Sequence, residues 1–313
     1  MTSAGPSEGR GHLARTVTLA ETLREAGARV HVELLRGELS VRDRTRLEAA
    51  GAELRASAGH PDAVLVDIPD PNEVAGRWPA DSLAIIDDSN RLTTPAAIVV
   101  QPSLPAWSGR AQVGTVLAGY AFAPLRASLR RLAEHPPAPS DPPDVFVCFG
   151  GGDPDDVTAR LVPAVAAAVG ARRDSASLTV VVGASYGGRL EAEPGWTLLQ
   201  DPPDFDERLA GATVALIGGG TLKFEAAHLG VPAIVVAVAD DQPDNAEPMA
   251  ALAMAAYVGD GRTIDPEDVG WAVVALLDDP DRRAAMARAG RAIVDGRGAE
   301  RIAREVLVLA GSR

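Results

Sequence analysis

The 313-residue chain lacks a second cysteine, so Cys148 has no intrachain disulfide partner. Its setting in Val145-Phe146-Val147-Cys148-Phe149 predicts a buried strand residue, and a lone buried thiol fits a reducing cytoplasm. Lysine is nearly absent: Lys223 stands alone among 30 basic residues, which with abundant Ala and Gly reads as the codon bias of a GC-rich genome. No stretch approaches the roughly 20 apolar residues of a membrane span, and no N-terminal apolar segment resembles a signal peptide. A basic face is also missing. The formal charge of −13 and a pI near 4.9 work against nucleic acid or an anionic membrane as partner. His12, His31, His60, His135 and His228 are scattered without ligand spacing, and neither a serine nucleophile elbow nor a Walker lysine loop occurs. The expectation is a cytoplasmic protein without metal or cofactor.

What is present is alternation. The length exceeds one usual core, and 46% hydrophobic residues can fill two. Apolar runs at 30–35, 63–67, 83–87, 97–100 and 113–117 predict strands of a first α/β domain, with a helix from His12 to Glu25. Glu134-His-Pro-Pro-Ala-Pro-Ser-Asp-Pro-Pro143 can be neither helix nor central strand and reads as a linker. Beyond it, runs at 145–149, 178–182, 196–199, 214–217 and 233–238 repeat the pattern. The expectation is an α/β chain of two doubly wound, Rossmann-like domains, 1–140 and 141–313, facing each other across a ligand cleft. Before the first helix, only Met1 to Ala4 precede Gly5, fewer than the five or so residues of an ordinary strand. The natural chain is therefore expected to start upstream; an intact mass from the native host that matched this sequence would refute that.

The most informative stretch follows the run 213–217. Gly218, Gly219 and Gly220 let backbone N–H groups approach an anion, and the helix that follows Thr221 and Leu222 offers its unpaired N–H groups and positive dipole end to a diphosphate. Glu225 lies one turn on, where a carboxylate can accept both ribose hydroxyls. A glycine-rich turn before an ordinary packed helix is the plainer reading. Gln242 and Asn245, after the next strand, tip the pattern toward a nucleotide sugar.

Five stretches in order resemble one family. They are Gly9-Arg-Gly-His12-Leu-Ala-Arg15, Gly119-Tyr-Ala-Phe-Ala-Pro-Leu-Arg126, Cys148-Phe-Gly-Gly-Gly-Asp153-Pro-Asp, the 218–245 region and Asp295-Gly-Arg-Gly-Ala-Glu-Arg301. Together they resemble the UDP-sugar hydrolases of pseudaminic acid synthesis, PseG, and their spore-coat relative SpsG, which share the GT-B fold with MurG-type glycosyltransferases. The resemblance implies a UDP-sugar or other NDP-sugar as partner, held mostly by the second domain, with Gly9, Gly11, Gly151 and Gly152 giving it room. It implies that His12 is the catalytic base; an imidazole at a helix N-terminus is biased toward its neutral form. Asp67 becomes a hydroxyl acceptor or an orienting partner of His12, and Arg15 meets phosphate or a surface carboxylate. The last helix, 300–309, is expected to brace the first domain. The family's Asp-then-Tyr pair is absent from Val66-Asp67-Ile68-Pro69-Asp70, which leaves the sugar open. The leading expectation is an inverting NDP-sugar hydrolase. The alternatives are an inverting glycosyltransferase and a catalytically silent binding protein, and the surroundings of Asp67, Asp87 and Gln101 are expected to decide between water and a larger acceptor.

Overall fold

The computed structural model describes residues 1–4, 11–55, 59–138, 140–153, 155–172, 174–184, 186–188, 190–192 and 195–311. The chain divides into two compact units, Met1–Ala127 with Gly296–Arg313, and Ser128–Asp295.

The first unit runs through β1 (Thr2–Ala4), α1 (Gly11–Glu25), β2 (His31–Val32), β3 (Leu34–Gly37), α2 (Val41–Ala49), β4 (Glu53–Leu54), β5 (Val64–Val66), β6 (Leu83–Ile86), β7 (Ala96–Gln101) and β8 (Val113–Ala118). All pairings are parallel. β1 pairs with β3, β2 with β4, and Thr2 bridges Asp67 just past β5, ahead of the ladder β5-β6-β7-β8. The expected strand 30–35 is interrupted at Glu33, whose carbonyl accepts from the Thr2 N–H at 3.0 Å. β1 is three residues long; all three pair with β3, and Thr2 also bridges Asp67 on the other side.

Both faces of this sheet are covered, which is why its strands read as unbroken apolar runs. Ala84, Ile86, Ile98 and Val100 pack with Leu19 and Leu23 of α1 and with Ile302, Ala303 and Val306 near the carboxyl end. Their neighbours Leu83, Ile85 and Val99 alternate to the other face and pack with Val64, Val66 and Val74. Each such side chain contributes about 1.5–3 kcal/mol relative to exposure.

The second unit contains α3 (Ala127–Glu134), which begins at the boundary, then β9 (Asp144–Cys148), α4 (Val157–Gly170), β10 (Ser177–Val182), β11 (Trp196–Gln200) and α5 (Phe205–Gly211). It continues with β12 (Val214–Gly218), α6 (Leu222–Leu229), β13 (Ala233–Ala237), α7 (Gln242–Ala251), β14 (Ala256–Asp260), α8 (Pro266–Leu277) and α9 (Pro280–Ile293). Its parallel sheet has the order β11-β10-β9-β12-β13-β14. The chain direction across the sheet reverses between β9 and β12, and ligands of such sheets bind outside the carboxyl ends of the strands at that point. Val145, Val147, Leu161, Leu178, Leu216, Ile234 and Val273 are among the residues of one continuous core.

The final helix, α10 (Gly298–Gly311), belongs to the first unit. Arg301 donates to the Ala121 carbonyl at 2.7 Å, and a Cβ at Gly298 would come within 2.1 Å of the Ala123 carbonyl oxygen, so only glycine allows the approach. The division between the units falls before the proline-rich stretch rather than within it. α3 goes with the second unit, where the Ser128 hydroxyl donates to Asp206 at 3.0 Å. Among the described residues no helix is long and apolar enough to cross a membrane.

Candidate active site

The first unit gathers its charged side chains where strands end and α1 begins. Asp67 directly follows β5, Asp88 lies two residues past β6, and Ser103 two past β7. His12 and Arg15, three residues apart, share one face of the first turn of α1. His12 Nδ1 lies 2.6 Å from Asp67 Oδ1. Arg15 forks onto the same carboxylate, Nη2 to Oδ1 at 2.7 Å and Nε to Oδ2 at 2.9 Å, while its Nη1 donates to Asp88 Oδ2 at 2.6 Å. The Ser103 hydroxyl donates to the other Asp88 oxygen at 2.5 Å. The side chains of Asp67 and Arg15 are 3% and 8% exposed, whereas those of His12 and Asp88 are each 19% exposed and meet solvent.

The electrostatics fix the tautomer. Burial pushes the Asp67 carboxyl up, but Arg15 and His12 outweigh it and hold the group at about 2. An ionised carboxylate only accepts, so Nδ1 carries the proton donated to Asp67, and in the neutral ring the lone pair lies on Nε2. Arg15 Nη2 also approaches Nδ1, at 3.0 Å. In this tautomer both are donors, and the contact brings positive charge against the ring. Burial disfavours the Arg15 charge, yet the two carboxylates more than restore it and raise its pKa further.

The second unit builds with backbone. β12 runs into Gly219, Gly220 and Thr221, and α6 follows, buried all round from Lys223 to Leu229. The glycines have different reasons for being glycine. A Cβ at Gly218 would sit 2.9 Å from the Phe149 carbonyl oxygen, and one at Gly219 would sit 2.9 Å from Gln242 Cβ. A Cβ at Gly220 would meet only Gln242 Nε2, at 3.9 Å, so no packing demand excludes a side chain there. Gln242 Oε1 accepts from the Gly219 N–H at 3.0 Å and the Val238 N–H at 2.8 Å, tying the loop to the end of β13. The Lys223 ammonium is buried and donates to the Gly219 carbonyl at 2.7 Å. Asn245, on α7, is buried nearly as deeply. Gly151 and Gly152 lie just past β9, and Asp153 caps α4 through the Val157 and Thr158 N–H groups at 2.9 and 2.7 Å.

No protein-family model matches the chain. It is 25% identical over 164 residues to the spore coat polysaccharide biosynthesis protein SpsG of Bacillus subtilis, covering 51% of this chain and 48% of that protein. It is 34% identical over 195 residues to the UDP-N-acetylglucosamine--N-acetylmuramyl-(pentapeptide) pyrophosphoryl-undecaprenol N-acetylglucosamine transferase of Acidiphilium cryptum, covering 59% and 52%. The chain thus spans about half the length of the curated relatives it matches. Among solved structures it superposes on the spinosyn rhamnosyltransferase SpnG complexed with thymidine diphosphate (TM-score 0.65, 15% identity, 98% of each chain). It also superposes on Acinetobacter baumannii MurG (0.57, 16%, 98% of each) and on Anabaena HepE in complex with UDP-glucose (0.63, 13%, 100% and 99%). The chain is thus similar to SpsG and to MurG-type transferases in sequence, and its fold is that of the GT-B glycosyltransferases.

Against that relationship, the expected site residues divide. His12, Asp67 and Arg15 come together in the first unit, and Gly219, Gly220, Thr221, Leu222, Glu225 and Gln242 in the second. Gly11 opens α1, and Gly9 lies outside the described residues. Two expectations need correction. The Arg15 guanidinium, expected at phosphate or at the surface, is buried and committed to Asp67 and Asp88. Asp87 and Gln101, expected to line the acceptor side, are spent on scaffolding. Asp87 accepts from the Arg91 and Leu92 N–H groups and the Trp107 indole; Gln101 donates to the Asp87 carbonyl and accepts from the Ser103 and Leu104 N–H groups. Asp88, which the doubled Asp87-Asp88 after the run 83–87 marks in the sequence as a structurally paired residue, is paired here with Arg15. Ser103 is the member that sequence reasoning missed, and it carried no signal.

Proposed function

We propose that the chain is an inverting glycosyltransferase-type enzyme acting on a nucleoside-diphosphate sugar, with the nucleotide assigned to the second unit and proton transfer to the first. The observation that carries this reading is the 2.6 Å contact of His12 Nδ1 with an ionised Asp67, which leaves Nε2 free to accept a proton. In the proposed step Nε2 takes the proton of an acceptor hydroxyl as that oxygen bonds to the anomeric carbon. The bond from that carbon to the diphosphate breaks, the nucleoside diphosphate leaves with the electron pair, and configuration inverts. The imidazolium so formed remains paired with Asp67 through Nδ1–H. The N–H groups of the Gly220 and Thr221 turn and the start of α6 suit the diphosphate, and Glu225 suits the ribose hydroxyls.

Support for transfer comes from relatives named as transferases, and from the complexes of SpnG with thymidine diphosphate and HepE with UDP-glucose. These put transfer ahead of the hydrolysis that the motif resemblance placed first. Hydrolysis remains the second reading because the motif resemblance to the PseG-type hydrolases favours it and because water in place of the acceptor hydroxyl is the only chemical difference. Mass spectrometry of a panel of UDP- and dTDP-sugars, with and without a pool of alcohol acceptors, tests both. Nucleotide release that requires an acceptor, with a glycosylated product, is the expected result. Equal amounts of nucleotide and free sugar over many turnovers without acceptor would replace transfer by hydrolysis, and binding without turnover under either condition would leave a silent binding protein.

A further inference from the structure

We propose that Arg15 and Asp88 are paired positioning residues that hold Asp67 against His12 and set, in opposite directions, the pH range over which His12 can act. The proposal rests on the reading of His12 as the base. Its footing is geometric. His12 alone would hold Asp67 at one oxygen and leave the carboxylate free to turn; Arg15 grips both oxygens and fixes its plane. A buried guanidinium so placed would also bias the neighbouring ring, and Asp88 counters it through the third guanidinium nitrogen. Ser103 in turn anchors Asp88.

The count of charges gives the signs. With a neutral imidazole, Asp67, Arg15 and Asp88 sum to one negative charge, and a proton on His12 brings the cluster to neutrality. Removing the Arg15 charge leaves a surplus of two negatives and favours the imidazolium. Removing the Asp88 charge makes the cluster neutral before protonation and disfavours it. The groups facing His12 are Arg15 on its own helix, Asp67 past β5, and, through Arg15, Asp88 past β6. Behind Asp67 stand the Met1 amine just before β1, Glu33 between β2 and β3, and Arg77, which pairs with Glu33. The Met1 amine, lowered to about 6 by burial, titrates in the same range and feels Asp67, so the His12 ring titration, and not the rate profile by itself, assigns a displacement to the Arg15 and Asp88 pair.

The test compares wild type, Arg15→Gln, Arg15→Lys and Asp88→Asn by the pH dependence of kcat/KM and by NMR titration of the His12 ring, assigned with His12→Ala. The NMR arm needs no substrate. In Arg15→Gln the acidic limb and the ring titration should move to higher pH by about 1 unit. In Asp88→Asn they should move to lower pH, by less. Arg15→Lys, which keeps the charge and loses the fork, should leave the limb near its wild-type position while lowering kcat. Uniform loss of rate with all titrations superimposed would overturn the proposal and leave Arg15 as fold support. If Arg15→Gln does not fold, Asp88→Asn decides alone: an undisplaced or raised ring titration overturns the idea. Failure of the base reading looks different. His12→Ala would then retain turnover, whereas an inactive His12→Ala with superimposed ring titrations sinks only this proposal.

Discussion

The chain builds two strand-to-helix junctions from opposite materials. At the start of α1 the chemistry lies in charged side chains: His12 and Arg15 lean on Asp67, and Arg15 reaches Asp88. At the start of α6 it lies in backbone: glycines precede the helix, and the side chains of Gln242 and Lys223 are used to hold the loop. Under the proposed function, the difference follows from what each junction would be asked to do. A base must carry a proton, and only a side chain with a suitable lone pair can. A diphosphate is matched well by fixed N–H dipoles at a helix start, which need no counter-charge of their own. A buried charge cluster is costly unless every member is paired, so the first junction needs carboxylates drawn from two further strand ends. The second needs close backbone packing and therefore glycine.

That contrast can be broken by substitution at either junction. The largest effect is expected from His12→Ala, which should lower turnover by about 10²–10⁴-fold, the usual worth of a general base, while UDP or dTDP binding measured by calorimetry stays at the wild-type value. Turnover that survives, or nucleotide affinity lost together with it, would remove the division of labour between the two junctions. A smaller effect distinguishes adjacent glycines. Gly219→Ala must push against Gln242 and should cost about 1–3 kcal/mol of stability, read as a lowered Tm. Gly220→Ala, with open space for a Cβ, should change stability by no more than about 0.5 kcal/mol and instead weaken nucleotide binding. Equal losses of stability at both positions would show that the loop is glycine-rich for packing alone.

The same contrast explains what could be read from the sequence. Strands buried on both faces announce themselves as apolar runs, so β9 and β12 were legible to within a residue at each end. The two-residue β4 and the half-buried β14, with Gly259 inside it, give no such run and were missed. The backbone junction was legible because glycines, Thr221 and the following helix are contiguous. The side-chain junction was legible only in part. His12 and Asp67 carried signals, but Arg15 meets Asp88 across 73 residues of sequence, through the adjacency of β5 and β6. Nor could the doubled aspartate be sorted in advance. Neighbouring side chains leave the end of a strand in opposite directions, and here Asp87 turns to the Trp107 loop while Asp88 turns to Arg15.

Acid sharpens the comparison further, because a junction made of carboxylates must respond to it. Asp67 is held at about 2 against an ordinary 3.8. A carboxyl whose pKa is depressed by folding stabilises the folded state at pH values above its unfolded pKa, and that stabilisation is lost as pH falls through the folded value. The window therefore runs from about pH 4 down to about pH 2, and the difference is worth about 2 kcal/mol at 1.36 kcal/mol per unit. The group is almost wholly buried, so solvent screening does little to reduce it. The informative measurement is the gap in stability between wild type and Asp67→Asn, from urea unfolding at a series of pH values. Above pH 4 the gap should be constant, and it should narrow by about 2 kcal/mol as pH falls to 2, since a protonated aspartate and an asparagine are then nearly alike. Parallel curves would mean that Arg15 and His12 do not hold the Asp67 carboxyl below its ordinary value.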